Sequence, residues 1–370
     1  MKKIAIILLS MLLVLGASAQ KKKSKVPERQ PDVIDKFLHH IDSTHDLNIS
    51  VINKIINYGY LRFNAHGEWK LNNSTTREEM AYWEWFLGYL QITSRKDLEG
   101  GFLHTEKALN LTRDSNEFRR EILTLRAKYF NTTMEYRKEL AVLDEINAIS
   151  KKMTGKPDFS ACVTKANLLK YLNRTDEAMT SYNAAIEAGS QDSTELADIY
   201  YNRALILLHG TNDSARIMDN LKMAAELNDR EIKYLYEYAR LCKEWYDTVP
   251  EYQPIVKKEC ERILQLDTMP TLSSIRHCAL AMLGRKFEAE RWIDQVMANF
   301  GENQNNWVYI YYNKACIYAI LKDVQQAMDY LTEAEMHGGI SCTKLRDDAN
   351  FYNLLGTDEF EELMLRVCME

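Results

Sequence analysis

The chain is poor in the residues that interrupt helices. Its 370 residues include 14 glycines and 6 prolines, both well below ordinary usage, and the shortage points to an all-helical chain. No two cysteines stand in a C-x-x-C pair, which removes zinc-knuckle and dithiol redox motifs. The seven cysteines (Cys162, Cys242, Cys260, Cys278, Cys316, Cys342 and Cys368) are odd in number and widely spaced, so a disulfide is allowed but none can be assigned. Cys162, Cys242, Cys278 and Cys316 fall inside apolar helical patterns, where cysteine acts as a small buried hydrophobe. The patterns H-E-x-x-H, G-x-S-x-G and G-x-G-x-x-G and the P-loop are also missing, so the chain is expected to be no enzyme, with no cofactor and no metal. His39, His40 and His45 are expected to be solvated rather than ligands. A basic excess is absent too. With Lys2 and Lys3 set aside, 45 Lys+Arg face 53 Asp+Glu, a net of −8, which is the wrong sign for a nucleic-acid binder.

Long apolar runs are scarce, with one exception. Ile4 to Leu15 is apolar apart from Ser10, follows the basic Met1-Lys2-Lys3, and leads to Ala17-Ser18-Ala19. This order is that of a secretory signal peptide over residues 1–19, cut between Ala19 and Gln20. The run is too short to span a bilayer comfortably, and Lys21-Lys22-Lys23 follows it. No cysteine precedes Cys162, so no lipidated cysteine is expected after the cut. The mature chain is expected in a periplasm or outside the cell, without stable membrane insertion. Residues 20–31 read as a polar leader. Residues 32–64 read as an N-terminal helical hairpin, with Val33, Ile34, Phe37, Leu38 and Ile41 on one helix and Val51, Ile52, Ile55, Ile56, Tyr60 and Leu61 on the other. Asn64 to Thr76 reads as a connection.

The next stretch, residues 79–341, is periodic. Tyr89, Ala127, Ala166, Ala204, Ala239, His277 and Ala315 mark one position in each of about seven units, at steps of 38, 39, 38, 35, 38 and 38. Two further marks follow at steps of 12 and 7 in most units, such as Ala178 and Ala185 after Ala166, or Ala327 and Ala334 after Ala315. Such a period indicates a solenoid of helical hairpins. Small residues are needed where two antiparallel helices approach closely, and a step of 7 keeps two of them on one face. The unit that starts at Ala239 is stretched by five residues around Tyr246 to Pro254, where Pro250 and Pro254 force a loop.

At these residues the chain resembles the tetratricopeptide repeat family. The run from Thr164-Lys165-Ala166-Asn167 through Asp176-Glu177-Ala178 to Ala185-Ile186-Glu187 follows its pattern. So does Leu283-Gly284-Arg285-Lys286-Phe287-Glu288-Ala289, with Gly284 closing the turn. Tyr200-Tyr201-Asn202-Arg203-Ala204 and Tyr311-Tyr312-Asn313-Lys314-Ala315 are near copies, 111 residues apart. The resemblance implies a right-handed superhelical solenoid of antiparallel hairpins, with residues 342–370 as capping helices that turn Leu354, Leu355, Phe360 and Leu363 inward. It also implies a concave groove, lined by first helices, that holds a peptide or a partner helix. Carrying over the family's carboxylate-gripping subset places Asn167, Asn202 and Lys233 at three of its positions. Val163 and Glu237 stand where cations belong, so that chemistry is not expected. Tyr201, Asn202, Tyr312 and Asn313 are the groove residues with the best prospect of touching a partner.

The function this reading favours is a non-catalytic scaffold for a protein or peptide partner. The alternative is a glycan- or nutrient-binding accessory protein of an outer-membrane uptake system, to which the six tryptophans and the architecture would be suited.

Overall fold

The structure, a computed structural model, describes residues 61–63, 69–71 and 77–369, apart from 96, 113–116, 211–212, 247 and 301–303. The expected signal peptide and its Ala19–Gln20 cut, the polar leader, most of the 32–64 hairpin and His39, His40 and His45 therefore lie outside the described residues. At the end of that hairpin the structure departs from the expectation. Leu61–Phe63 is a strand, β1, and it pairs antiparallel with β2, Trp69–Leu71, in the register Leu61↔Leu71, Arg62↔Lys70 and Phe63↔Trp69. Both tripeptides alternate apolar and basic residues, which is the two-residue period of a strand rather than that of a helix.

By its contacts the chain divides into two units, residues 1–168 and 169–370. The first holds α1 (Arg77–Ser94), α2 (Leu98–Leu111), α3 (Glu117–Thr132), α4 (Tyr136–Thr154) and α5 (Phe159–Tyr171) as far as Leu168. The second holds α6 (Thr175–Ala188), α7 (Ser193–Gly210), α8 (Ser214–Leu227), α9 (Ile232–Tyr246), α10 (Gln253–Leu266), α11 (Arg276–Met282), α12 (Lys286–Phe300), α13 (Gln304–Ile320) and α14 (Val324–Met336). Within each unit successive helices pack as antiparallel hairpins, and each hairpin packs on the next. The fold is an all-α solenoid.

The spacing seen in the sequence is the packing seen in space. Ala127, Ala166, Ala204, Ala239, His277 and Ala315 are buried, and so are their followers Ala178, Ala185, Ala224, Ala289, Ala327 and Ala334. Where α1 meets α2 the fit is tightest. A methyl group on Gly88 would stand 2.9 Å from the carbonyl oxygen of Gly101, closer than real contacts allow, so the crossing requires glycine. Large side chains such as Tyr182, Ile293 and Leu331 fill the spaces between, each stabilising the stack by about 1.5–3 kcal/mol.

Four of the turns between helices share one geometry. Met134, Asn173, Gly284 and Lys322 adopt positive φ angles of 60°, 57°, 73° and 63°. The next N–H in each case reaches back to the end of the first helix: Glu135 to Phe130 at 2.8 Å, Arg174 to Leu169 at 2.8 Å, Arg285 to Leu280 at 2.9 Å and Asp323 to Tyr318 at 2.9 Å. This left-handed cap satisfies carbonyls that the helix end leaves open. It is the role expected of Gly284, and the other three turns reach it without glycine.

Glu139 occupies a mark that alanine holds in other units. It is 1% exposed, and its carboxylate accepts from Asn131 Nδ2 at 3.3 and 3.2 Å. Burial raises its pKa, and the Asn131 bond opposes that only in part. A carboxyl group with a raised folded pKa costs nothing below its unfolded pKa, and the cost grows as pH rises through the folded value. Glu139→Gln keeps the shape and an acceptor for Asn131. It is expected to raise stability at pH 7 by about 1 kcal/mol, with the gain vanishing near pH 4. Urea melts of both chains at the two pH values would show it, and an equal gain at both would contradict the burial argument.

The last residues form α15 (Cys342–Asp347), a 3-10 turn (Ala349–Leu354) and α16 (Asp358–Met369). Leu345, Phe351, Leu354, Phe360 and Leu363 are buried in the core of the second unit. Leu355, expected to point inward, is 51% exposed. It follows the 3-10 turn, just before Gly356 at φ 81°, where the chain swings outward. Arg366 pairs with Glu335 of α14 at 3.0 and 2.9 Å. A disulfide joins Cys342 to Cys368 across 26 residues, with their Cα atoms 4.9 Å apart. The other five cysteines are free and buried.

Candidate functional site

Three of the sequence-predicted residues come together in the second unit. On α7, Asp198, Tyr201 and Asn202 stand at spacings of three and four, so they share a face. On α9, Lys233 and Tyr234 meet them. Asp198 is the centre of the cluster: its carboxylate accepts from the Tyr234 hydroxyl and from Lys233 Nζ at 3.4 Å. The Tyr201 and Tyr234 rings lie 5.0 Å apart, and the Lys233 ammonium sits over both, 5.5 and 4.8 Å from their centroids. Both ends of the Asn202 amide are engaged within the chain. Its oxygen accepts from Lys170 Nζ, and its nitrogen donates to the Asp198 carbonyl at 2.8 Å. These bonds fix Asn202 in the patch and leave its second N–H and the second lone pair of its oxygen for a ligand. Burial lowers the Lys170 pKa. Burial, and then the nearby Glu237, push the Tyr201 phenol up to about 12. Tyr201 therefore stays neutral and keeps its proton to donate. Its hydroxyl has no hydrogen-bond partner among the described residues.

The other predicted residues are placed differently. Asn167 is exposed on α5 in the first unit. Asn313 is half-buried on α13. Tyr312 is only 3% exposed, which departs from the expectation that it touches a partner. Its hydroxyl donates to Asp348 Oδ2 at 2.6 Å, its ring meets Phe351 edge-on at 5.3 Å, and the Lys344 ammonium lies 4.0 Å from its centroid. The chain's own C-terminal segment holds it. The same segment reaches α9, where the Tyr236 hydroxyl donates to Asn350 Oδ1 at 2.6 Å. Farther along, Asn353 Nδ2 donates to the Ala319 carbonyl at 2.8 Å.

Sequence reasoning missed Tyr236, Tyr234 and Asp198. For Tyr236 the signal was available. It stands three residues before Ala239, as Tyr201 stands before Ala204 and Tyr312 before Ala315. These three tyrosines occupy one register on the first helices of their hairpins. Next to Tyr236 on α9, Arg240 is buried and bound to Glu237 at 2.8 Å and Glu244 at 2.7 Å. Glu237, the residue whose sign argued against carboxylate gripping, is therefore already paired.

Away from this patch, a concavity of about 610 Å³ is lined by Arg230, Pro254, Lys257, Lys258, Glu261 and Arg262, among others. Arg262 is paired with Asp229 and Lys258 with Glu259, so much of its positive charge is answered. Among the described residues no group of three His, Cys, Asp or Glu side chains could hold a metal, and no helix is long and apolar enough to cross a membrane. His277 is buried with its Nδ1 unbonded among the described residues.

The family model of the tetratricopeptide repeat matches residues 159–192 and 308–335. No curated protein matches the chain. Similar solved structures include a tetratricopeptide repeat protein from Parabacteroides merdae, with 14% identity over 79% of this chain and 100% of that one and a TM-score of 0.46. The apo form of the quorum sensor NprR from B. thuringiensis has 12% identity over 90% of this chain and 97% of its own, with a TM-score of 0.46. YrrB, a TPR protein with an unusual peptide-binding site, has 15% identity over 63% of this chain and 92% of its own, with a TM-score of 0.34. At these scores and identities none of them bears on what this chain binds. The two matched stretches cover α5 with α6 and α13 with α14, and the remaining hairpins repeat their packing marks: the chain carries tetratricopeptide repeats in an all-α solenoid.

Proposed function

We propose that this chain is a secreted, envelope-side scaffold that holds a protein or peptide partner along its first-helix face and carries out no catalysis of its own. The observation behind this reading is the Asp198–Tyr201–Lys233–Tyr234 patch. It is a half-buried surface of rings and balanced charge, rigidified by internal hydrogen bonds, and it keeps one phenolic donor unused. Preorganised aromatic and hydrogen-bonding groups of this kind suit polypeptide recognition better than transition-state chemistry. Export is supported by the basic head, apolar run and Ala17-Ser18-Ala19 of residues 1–19. The Cys342–Cys368 disulfide suits an oxidising compartment. A photo-crosslinking residue in place of Tyr201, in the full chain in its native envelope, is expected to give a protease-sensitive adduct. An adduct made only with saccharide would favour the glycan-binding alternative instead.

A further inference from the structure

The row of tyrosines in one register, Tyr201, Tyr236 and Tyr312, shows what its members bind. Two of the three hydroxyls are answered by the chain itself, and by the same chemistry. Tyr312 donates 2.6 Å to the carboxylate of Asp348, and Tyr236 donates 2.6 Å to the carboxamide oxygen of Asn350. The two acceptors are side chains two residues apart on one short segment. That segment is anchored by Phe351, which is buried edge-on against Tyr312. The third hydroxyl, on Tyr201, has no partner among the described residues, while its ring is packed and its position fixed by Tyr234 and Lys233.

We propose that Tyr201 is the donor of a peptide seat whose ligand is a segment bearing an Asp or Asn side chain, the same class of group that residues 348–350 present to the other two tyrosines. The ligand side-chain oxygen would accept the Tyr201 proton, as Asp348 and Asn350 accept those of Tyr312 and Tyr236. Lys233, 5.5 Å from the Tyr201 centroid, supplies positive charge beside it. Charges around the seat come from both helices. Asp198 is spent on Lys233 and Tyr234, and Glu237 on Arg240, which leaves Glu231 at the head of α9 as the negative charge that an Asp ligand would meet and an Asn ligand would not. This inference rests on the scaffold reading above and adds to it the side-chain chemistry of the partner.

The test uses the full chain and a fluorescent peptide, Asp-Ala-Asn-Phe-Tyr-Asn-Leu, which copies residues 348–354. A second peptide has alanine in place of its Asp and first Asn. The first peptide is expected to bind, and the second to bind at least about tenfold more weakly. Tyr201→Phe removes only a hydroxyl without a partner, so the chain should fold as before, which circular dichroism would verify. This substitution is expected to weaken the first peptide about tenfold, the loss of one charge-assisted hydrogen bond. Equal binding of the two peptides, an affinity indifferent to Tyr201→Phe, or no measurable binding of either peptide would overturn the proposal. If cross-linking from position 201 still captured a polypeptide, those results would sink this inference and leave the scaffold reading standing.

Discussion

Phe351→Ala is expected to cost about 3–5 kcal/mol, the range for deleting a fully buried aromatic ring. Phe351 is the anchor of the C-terminal segment, packed edge-on to Tyr312 at 5.3 Å and 6.4 Å from Phe360. Its loss opens a cavity over Tyr312 and loosens the Tyr312–Asp348 and Tyr236–Asn350 bonds beside it. Urea denaturation followed by circular dichroism would measure the cost, and hydrogen exchange would place it in residues 342–369 and α13. Leu355→Ala, four residues on and exposed, should change stability by less than about 0.5 kcal/mol. Equal costs for the two substitutions would mean that the segment is not seated on the first helices as described.

Breaking the Cys342–Cys368 disulfide comes next in size. Tying a loop of 26 residues removes about 3.5 kcal/mol of closure entropy from the unfolded chain. Cys342→Ser is therefore expected to lower stability by a similar amount while Leu345, Leu354, Phe360 and Leu363 still pack. The pairing has a chemical signature as well. Unfolded without reductant, the chain should titrate five thiols, those of Cys162, Cys242, Cys260, Cys278 and Cys316, and seven after reduction. Seven thiols in the unreduced chain isolated from an oxidising compartment would contradict the pairing.

How much of this was legible in the sequence depends on how local its cause is. The hairpin stack could be read because its cause repeats. Small residues at steps of 12 and 7 are a direct demand of close helix packing, and Gly284 marks a turn whose geometry admits it. Glu139 in one of those places was visible too, although its burial is a tertiary fact. The strand at Leu61–Phe63 escaped because three residues of alternation are lost behind the helical spacing of Val51 to Tyr60. The disulfide escaped because seven cysteines at long spacings offer no preferred pair. The site was half-legible. Tyr201, Asn202 and Lys233 do meet, because the register that aligned them in sequence aligns them in space. Their partner Asp198 is one helical turn from Tyr201 and carries no mark of its own. Tyr312 was read as open because its register matches that of Tyr201. What covers it arrives from 36 residues farther on, and no local pattern reports such a return.

The central claim is that the first-helix face around Tyr201 on α7 is a polypeptide seat while its continuation, through Tyr236 on α9 and Tyr312 on α13, is held by the chain's own C-terminal segment. The most direct measurement is photo-crosslinking in cells that express the full chain, from three positions: 201, 312 and Lys222 on α8. The account predicts a polypeptide adduct from position 201, only intramolecular links to residues 344–351 from position 312, and background from position 222. Adducts from 201 no stronger than those from 222, or partner adducts from 312 equal to those from 201, would contradict it.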